Sequence, residues 1–189
     1  TYGVNGNLRW NLDDLVLKVT TGYWKLNFDN RIDGDNTDAD FFWLGWHNKH
    51  WQYTGEVNLS SANSGRFNWQ VGVFYFQDNT LEVVPGDGAG LRSLFGLTVP
   101  VLEFAATIKS KSYAVYGQAE YAFTDNLELS VGARFTYDKK SMDERLWFGG
   151  PVGSDQLSDN WSAFTPKVAL NWHANDNLMV YGSVSRGYK

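Results

Sequence analysis

One pattern runs through this sequence from end to end: apolar and polar side chains alternate with a period of two. The clearest stretch is Leu127 to Asp138. Leu127, Leu129, Val131, Ala133, Phe135 and Tyr137 share one parity, and Glu128, Ser130, Gly132, Arg134, Thr136 and Asp138 share the other. Successive side chains of a strand point to opposite sides, so such a segment has one oily face and one wet face. Ser112 to Phe123 reads the same way, and Thr124-Asp125-Asn126 between the two has the residue types of a tight hairpin turn.

The hairpin unit returns about fifty residues later, as repeated supersecondary units do. Val168, Leu170 and Trp172 alternate with Lys167, Ala169 and Asn171, and Asn175-Asp176-Asn177 turns the chain into Leu178 to Tyr188. Upstream, Leu15–Phe28, Trp51–Ser60 and Arg66–Gln77 are strand candidates, and a shorter strand near Asn7–Leu12 precedes a turn at Asp13-Asp14. The sequence therefore predicts about eight strands in a meander. Asp13-Asp14, Ser61–Gly65, Thr124–Asn126 and Ala174–Asn177 are short connections, whereas Asn30–Lys49, Asp78–Lys109 and Ser141–Asn160 are expected to be long loops. Short turns at one end and long loops at the other are the asymmetry of outer-membrane barrels, although a lipocalin-like barrel can be asymmetric too.

Composition agrees with a membrane. Nine Trp, ten Tyr and twelve Phe are many large rings for 189 residues. Tyr121, Phe123, Trp172, Phe67 and Trp69 lie near the short turns, and Tyr137, Phe164, Tyr75 and Tyr188 near the other ends, as two interfacial girdles would. The alternative is that they are core aromatics of a soluble sheet. No apolar run reaches the ~20 residues of a membrane helix, but a spanning strand needs only ~9–11. A mean hydropathy of −0.39 is compatible with that. The net charge of −5 argues against a nucleic-acid partner. With no Cys there is neither a disulfide framework nor a thiolate metal site.

Four stretches, in order, resemble the barrel of TonB-dependent receptors: Leu17–Asp35, Gly65–Phe76, Ser112–Lys140 and Phe164–Lys189, the last closing on Ser-Arg-Gly-Tyr-Lys. The resemblance implies an all-β fold: an antiparallel, up-and-down transmembrane β-barrel, of which this chain would supply about eight of roughly 22 strands. It further implies a single partial barrel domain over 1–189, an internal piece of a longer protein with no plug domain present. The implied function is receptor-mediated uptake of a scarce nutrient across the bacterial outer membrane. A ferric siderophore is the first expectation, with energy reaching the barrel through TonB and a plug outside this chain. The implied partners are outer-membrane lipid, the nutrient and the TonB complex. Two alternatives are a small autonomous outer-membrane barrel, structural or pore-forming, and a soluble lipocalin-like binder.

Candidate site residues follow. Trp43, Trp46, His47 and His50 fall in an expected extracellular loop, where rings and imidazoles could stack on or coordinate a ferric chelate. Spaced by three, the two His could share a metal only if that segment were helical. Glu56, Gln118, Glu120, Glu128, Arg134, Lys167 and Arg186, with Lys18 and Gln70, lie on the polar parity and are expected to face the lumen, as a substrate path or as cross-strand pairs. Asp29 to Asp40 has the length of a calcium loop with Gly34 at the turn position, but Arg31 stands at position three and Asp, not Glu, at the last, so an acidic solvated loop is the simpler expectation. Gly86–Gly90 is glycine-rich without the strand–helix context of a nucleotide loop. Leu91–Ala106 is apolar for a loop and is expected to form a short helix, enter the lumen or pack on a neighbour. No nucleophile elbow occurs, so no enzyme is expected, and no cofactor or metal.

Overall fold

The computed structural model describes residues 1–62, 65–175 and 177–188. Among the described residues, eight antiparallel strands form one sheet in sequence order: β1 (Tyr2–Leu12), β2 (Leu15–Asp33), β3 (Trp43–Ser61), β4 (Phe67–Asp87), β5 (Leu102–Thr124), β6 (Leu127–Phe148), β7 (Pro151–Asn175) and β8 (Leu178–Ser185). One short helix, α1 (Ala89–Phe95), follows β4. The sheet is open: among the described residues β1 does not pair with β8.

The short turns lie where their residue types place them. Asp13 takes a positive φ of 49° between β1 and β2, a conformation Asp tolerates. Thr124 Oγ1 accepts the Asn126 N–H at 3.2 Å, and Asn175 Oδ1 accepts the Asn177 N–H at 2.9 Å. Both bonds are side-chain turns of the Asx/ST kind. The expected turns at Ser61–Gly65 and Ala174–Asn177 each include positions, 63–64 and 176, outside the described residues, as is the terminal Lys189.

At the other end the expected long loops are mostly strand. β2 to β7 run 19 to 25 residues each. The connections shrink to 34–42, 88–101 and the two-glycine turn Gly149-Gly150. Asn30–Lys49, Asp78–Lys109 and Ser141–Asn160 are therefore hairpin extensions, the last joined by Gly149 at φ 59°. A 23-residue strand reaches ~75 Å at ~3.3 Å per residue, far more than a bilayer requires.

The register aligns all apolar parities on one side. Val19 opposes Val57, Val57 opposes Val73, Val73 opposes Val115, and Val115 opposes Phe135. Val73, Val115 and Phe164 on this face each keep 54% exposure, whereas Ala114, Ser130 and Thr136 on the alternate face keep only 7–8%. The apolar side chains are thus turned outward, and no second layer covers them. A soluble sandwich would bury that side.

Two rows of rings bound the apolar band. Toward the short turns stand Trp10, Phe67, Trp69, Tyr121 and Trp172, with Phe123 in a bulge and edge-on to Tyr121 at 5.1 Å. Eight residues further along β4, β5 and β6 stand Tyr75, Tyr113 and Tyr137, directly opposite one another. Tyr53 and Tyr23 extend that row across β3 and β2, and Tyr2 meets Tyr23 at 6.1 Å. Between the two rows the apolar face carries no Asp, Glu, Lys or Arg on any of the eight strands. Eight residues span ~26 Å along a strand, matching an apolar band ~25 Å tall once some tilt is allowed.

Candidate functional site

Arg186 apart, the polar face holds the charged residues of the spanning segment, and several are networked. Tyr116 on β5 opposes Gly72 on β4, which opposes Asn58 on β3. Because Gly72 has no side chain, the Tyr116 ring lies over it and reaches β3. There its hydroxyl donates to Glu56 Oε1 and accepts from Asn58 Nδ2 at 3.1 Å. Arg134 on β6 places its guanidinium 5.2 Å from the Phe74 ring centre and 5.8 Å from that of Tyr116, while its Nε donates to Thr136 Oγ1 at 3.1 Å. A carboxylate, a phenol and a guanidinium thus share one patch on three neighbouring strands and β6.

The other expected lumen residues divide. Gln118 Nε2 donates to Glu120 Oε1 at 2.7 Å, and Asn171 Nδ2 to Glu128 Oε1 at 3.3 Å. Lys18, Gln70, Gln118 and Glu120 line a polar hollow of about 200 Å³ near the short turns. Lys167 opposes Ser185 on the polar face. Arg186 does not join them. It follows Ser185 past the end of β8 and its N–H donates to the Pro166 carbonyl at 3.0 Å, so it continues the parity of Val184 on the apolar face.

Trp43, Trp46, His47 and His50 are not in a loop; all four lie in β3. Being odd-spaced in a strand, the two imidazoles point to opposite faces. His47 Nδ1 lies 2.9 Å from Asp29 Oδ1 on the apolar-face side of the extension, and Trp43 on that side stacks under the Arg31 guanidinium at 4.1 Å. His50 is on the polar face, with Nδ1 2.8 Å from Thr80 Oγ1 and 3.7 Å from Asp78 Oδ2. Among the described residues no three His or carboxylate groups converge on one point.

Four of the carboxylates of 29–40, Asp29, Asp33, Asp35 and Asp40, have structural partners. Asp29 meets His47, Asp40 lies 3.8 Å from Arg31, and Asp33 Oδ1 accepts the Asp35 N–H at 3.2 Å. Asp35 orders the loop: it accepts the Thr37 hydroxyl, the Thr37 N–H at 3.0 Å and the Phe42 N–H at 2.7 Å. The Thr37 hydroxyl, then the Phe42 N–H, hold its carboxyl below the ordinary 3.8. Phe41 explains two of the glycines, Gly88 and Gly90. Its carbonyl would lie 2.0 Å from a Cβ at Gly88 and its ring 2.1 Å from one at Gly90, so only glycine admits the close approach. The Gly90 and Leu91 N–H groups donate to Asp40 and Phe41, and Arg92 Nε lies 3.3 Å from Asp87 Oδ1. The apolar stretch after them begins as α1 and packs Phe95 edge-on to Phe148 at 5.6 Å, so two loops and a hairpin tip form one cap.

Between this cap and the Arg134 patch, the polar face has a hollow of about 660 Å³ lined by Phe74, Phe76, Ser112, Asp138, Lys140 and Trp161; Lys111 and Lys139, of the opposite parity, also border it. Its size and its aromatic lining with a few charges suit a small organic ligand. Tyr116, Asn58, Phe74, Phe76 and Trp161 were not singled out by sequence pattern. The available signal was Gly72, a glycine on the polar parity of an otherwise regular strand.

Comparison with known proteins gives the same architecture. Residues 1–189 match the family described as TonB dependent receptor-like, beta-barrel. The pesticin receptor of Yersinia enterocolitica is 27% identical over 101 residues, covering 52% of this chain and 15% of that protein. That of Yersinia pestis is 28% identical over 93 residues, 49% of this chain and 14% of that protein. Among solved structures, the ferric yersiniabactin uptake receptor of Yersinia pestis superposes with a TM-score of 0.77 at 15% identity, over 96% of this chain and 26% of that one. The ferric-catecholate import receptor of E. coli K12, in its open form, gives 0.64 at 14% identity, over 97% and 34%. The chain thus spans about 15% of the length of these curated relatives.

Proposed function

The chain belongs to the TonB-dependent receptor β-barrel family, and on that premise we propose that it forms part of the wall of an outer-membrane receptor that takes up a ferric siderophore with energy delivered through TonB. The observation that carries this reading is the apolar face, free of Asp, Glu, Lys and Arg between its two aromatic rows on every strand. A lipid-facing charge costs ~2–4 kcal/mol at the midplane, so that face is suited to hydrocarbon and the networked polar face to a lumen. The open sheet favours a larger barrel over an autonomous eight-stranded one, because unpaired edges are costly in lipid. A lipocalin-like binder is disfavoured by the outward turn of the oily side chains.

In this reading the strand extensions and their cap form a vestibule, and the hollow beside Trp161 and Phe76 receives the chelate. A plug and the TonB contact lie outside residues 1–189. The position of His50 on the polar face of the extension supports a role for it in meeting a ligand on its way in; Trp46 shares its parity, while Trp43 and His47 do not. The fold neighbours, a ferric yersiniabactin uptake receptor and a ferric-catecholate import receptor, support the choice of cargo. Uptake of radioactive iron on a panel of siderophores tests it. Cells lacking the gene should lose uptake of one chelate, and so should TonB-deficient cells that carry it. Unchanged uptake across the panel would contradict the proposal.

A further inference from the structure

A hollow of about 670 Å³ is sunk into the apolar face, lined almost wholly by carbon. Tyr53, Tyr75, Tyr113 and Tyr137 form its upper margin, Val73 and Phe135 line its lower part, and the Tyr53 ring leans over Gly55, its hydroxyl 3.2 Å from where a Cβ would stand. One step beyond the tyrosine row the same face turns basic. Lys25 is two residues from Tyr23, Lys111 two from Tyr113, and Lys139 two from Tyr137, with Lys109 one step higher.

Lys111 and Lys139 are directly opposite one another, and the next residues outward in the row are Gln77 and Asn160. Like charges directly opposite on a sheet are destabilising, with Cβ atoms ~4.5–5.5 Å apart. Among the described residues none of Lys109, Lys111 and Lys139 has a carboxylate within ion-pair distance. A solvated sheet surface would intersperse a carboxylate. A face that meets lipid headgroups can leave the cations together, because the counter-charge comes from the membrane.

We propose that Lys109, Lys111 and Lys139 bind the phosphate of an anionic membrane lipid whose acyl chain lies in the hollow beneath the tyrosine row. Charge complementarity and the apolar hollow two residues away single out a lipid, since free phosphate would use the lysines and leave the hollow empty. The proposal rests on the lipid-facing orientation of this side and is independent of the cargo.

The test is lipid retention by the full-length receptor in detergent, read by native mass spectrometry. The probes are dioleoyl phosphatidic acid and dioleoylglycerol, which lacks the phosphate. The receptor should retain phosphatidic acid at least tenfold better. Lys109→Gln/Lys111→Gln/Lys139→Gln should lower that retention about tenfold, and Gly55→Leu, which fills the hollow, should lower it with all lysines present. Millimolar inorganic phosphate should not displace the lipid. Lys139→Gln alone removes the like-charge pair, so it should fold normally, checked by heat-modifiable gel mobility, and retain severalfold less. Equal retention by the lysine variants, equal retention of dioleoylglycerol, or displacement by inorganic phosphate would overturn the assignment. Indifference to Gly55→Leu would overturn the role of the hollow.

Discussion

Tyr116 on β5 donates its hydroxyl hydrogen to Glu56 on β3, passing over the intervening strand β4 at Gly72. The contact spans sixty residues of sequence and ties three strands on the polar face. A Cβ at position 72 would fall 2.4 Å from the Tyr116 ring, so Gly72→Val must expel the ring and leave Glu56 and Asn58 without their shared partner. Loss of such a bond in a half-buried site costs ~1–3 kcal/mol. Urea unfolding of the reconstituted barrel should show that loss. Adding Tyr116→Phe to Gly72→Val should cost little more, because both changes break the same contact.

The two faces should respond oppositely to charge. Val131→Lys places an ammonium in the apolar band and should destabilise the folded barrel by ~2–4 kcal/mol. Gln118→Lys, on the polar face beside Glu120, should cost less than ~1 kcal/mol. Paired unfolding curves of the two variants in one lipid check the difference.

How legible this was in the sequence depended on height along each strand. Between the ring rows, one parity is hydrocarbon and the turns carry Asp and Asn, so the hairpins at Asp13 and Asp125 could be read directly. Above the tyrosine row both parities become polar, as in Ser141 to Glu144 and Ser154 to Asn160, and the period-two signal disappears although the backbone pairing continues. That is why the extensions read as loops and why His47 and His50 were misplaced. The Tyr116 patch was hidden for another reason: it depends on the register that sets Gly72 between Asn58 and Tyr116, which local pattern does not contain.

Only one of the two imidazoles can meet a ligand on the polar side. His50→Ala should reduce siderophore binding at least severalfold, whereas His47→Ala, whose ring faces Asp29, should leave it within about twofold. Binding to whole cells in the cold, where energised uptake stops, measures this. Equal effects would remove His50 from the ligand path.

Asp35 gives the 34–42 loop a pH limit. Its carboxyl is held below 3.8 by the Thr37 hydroxyl and the Phe42 N–H. A depressed value means that these bonds contribute fully above the ordinary carboxylate value and are lost as pH falls through the lower one. The Thr37 and Phe42 amides, corrected for intrinsic exchange, should therefore stay protected from neutrality down through the ordinary carboxylate range and lose protection only at more acid pH. Asp35→Ala should remove the protection at all pH values.

Residues 1–189 contain no cysteine, so single spin labels can be placed among them once any cysteine elsewhere in the full-length receptor has been replaced. Labels walked from 129 to 137 along β6 in lipid, probed with oxygen and with a water-soluble nickel chelate, test the orientation of the sheet most directly. Odd positions should be oxygen-accessible and even positions shielded from oxygen, alternating without a break. Odd positions shielded from both reagents, or no alternation at all, would contradict the account.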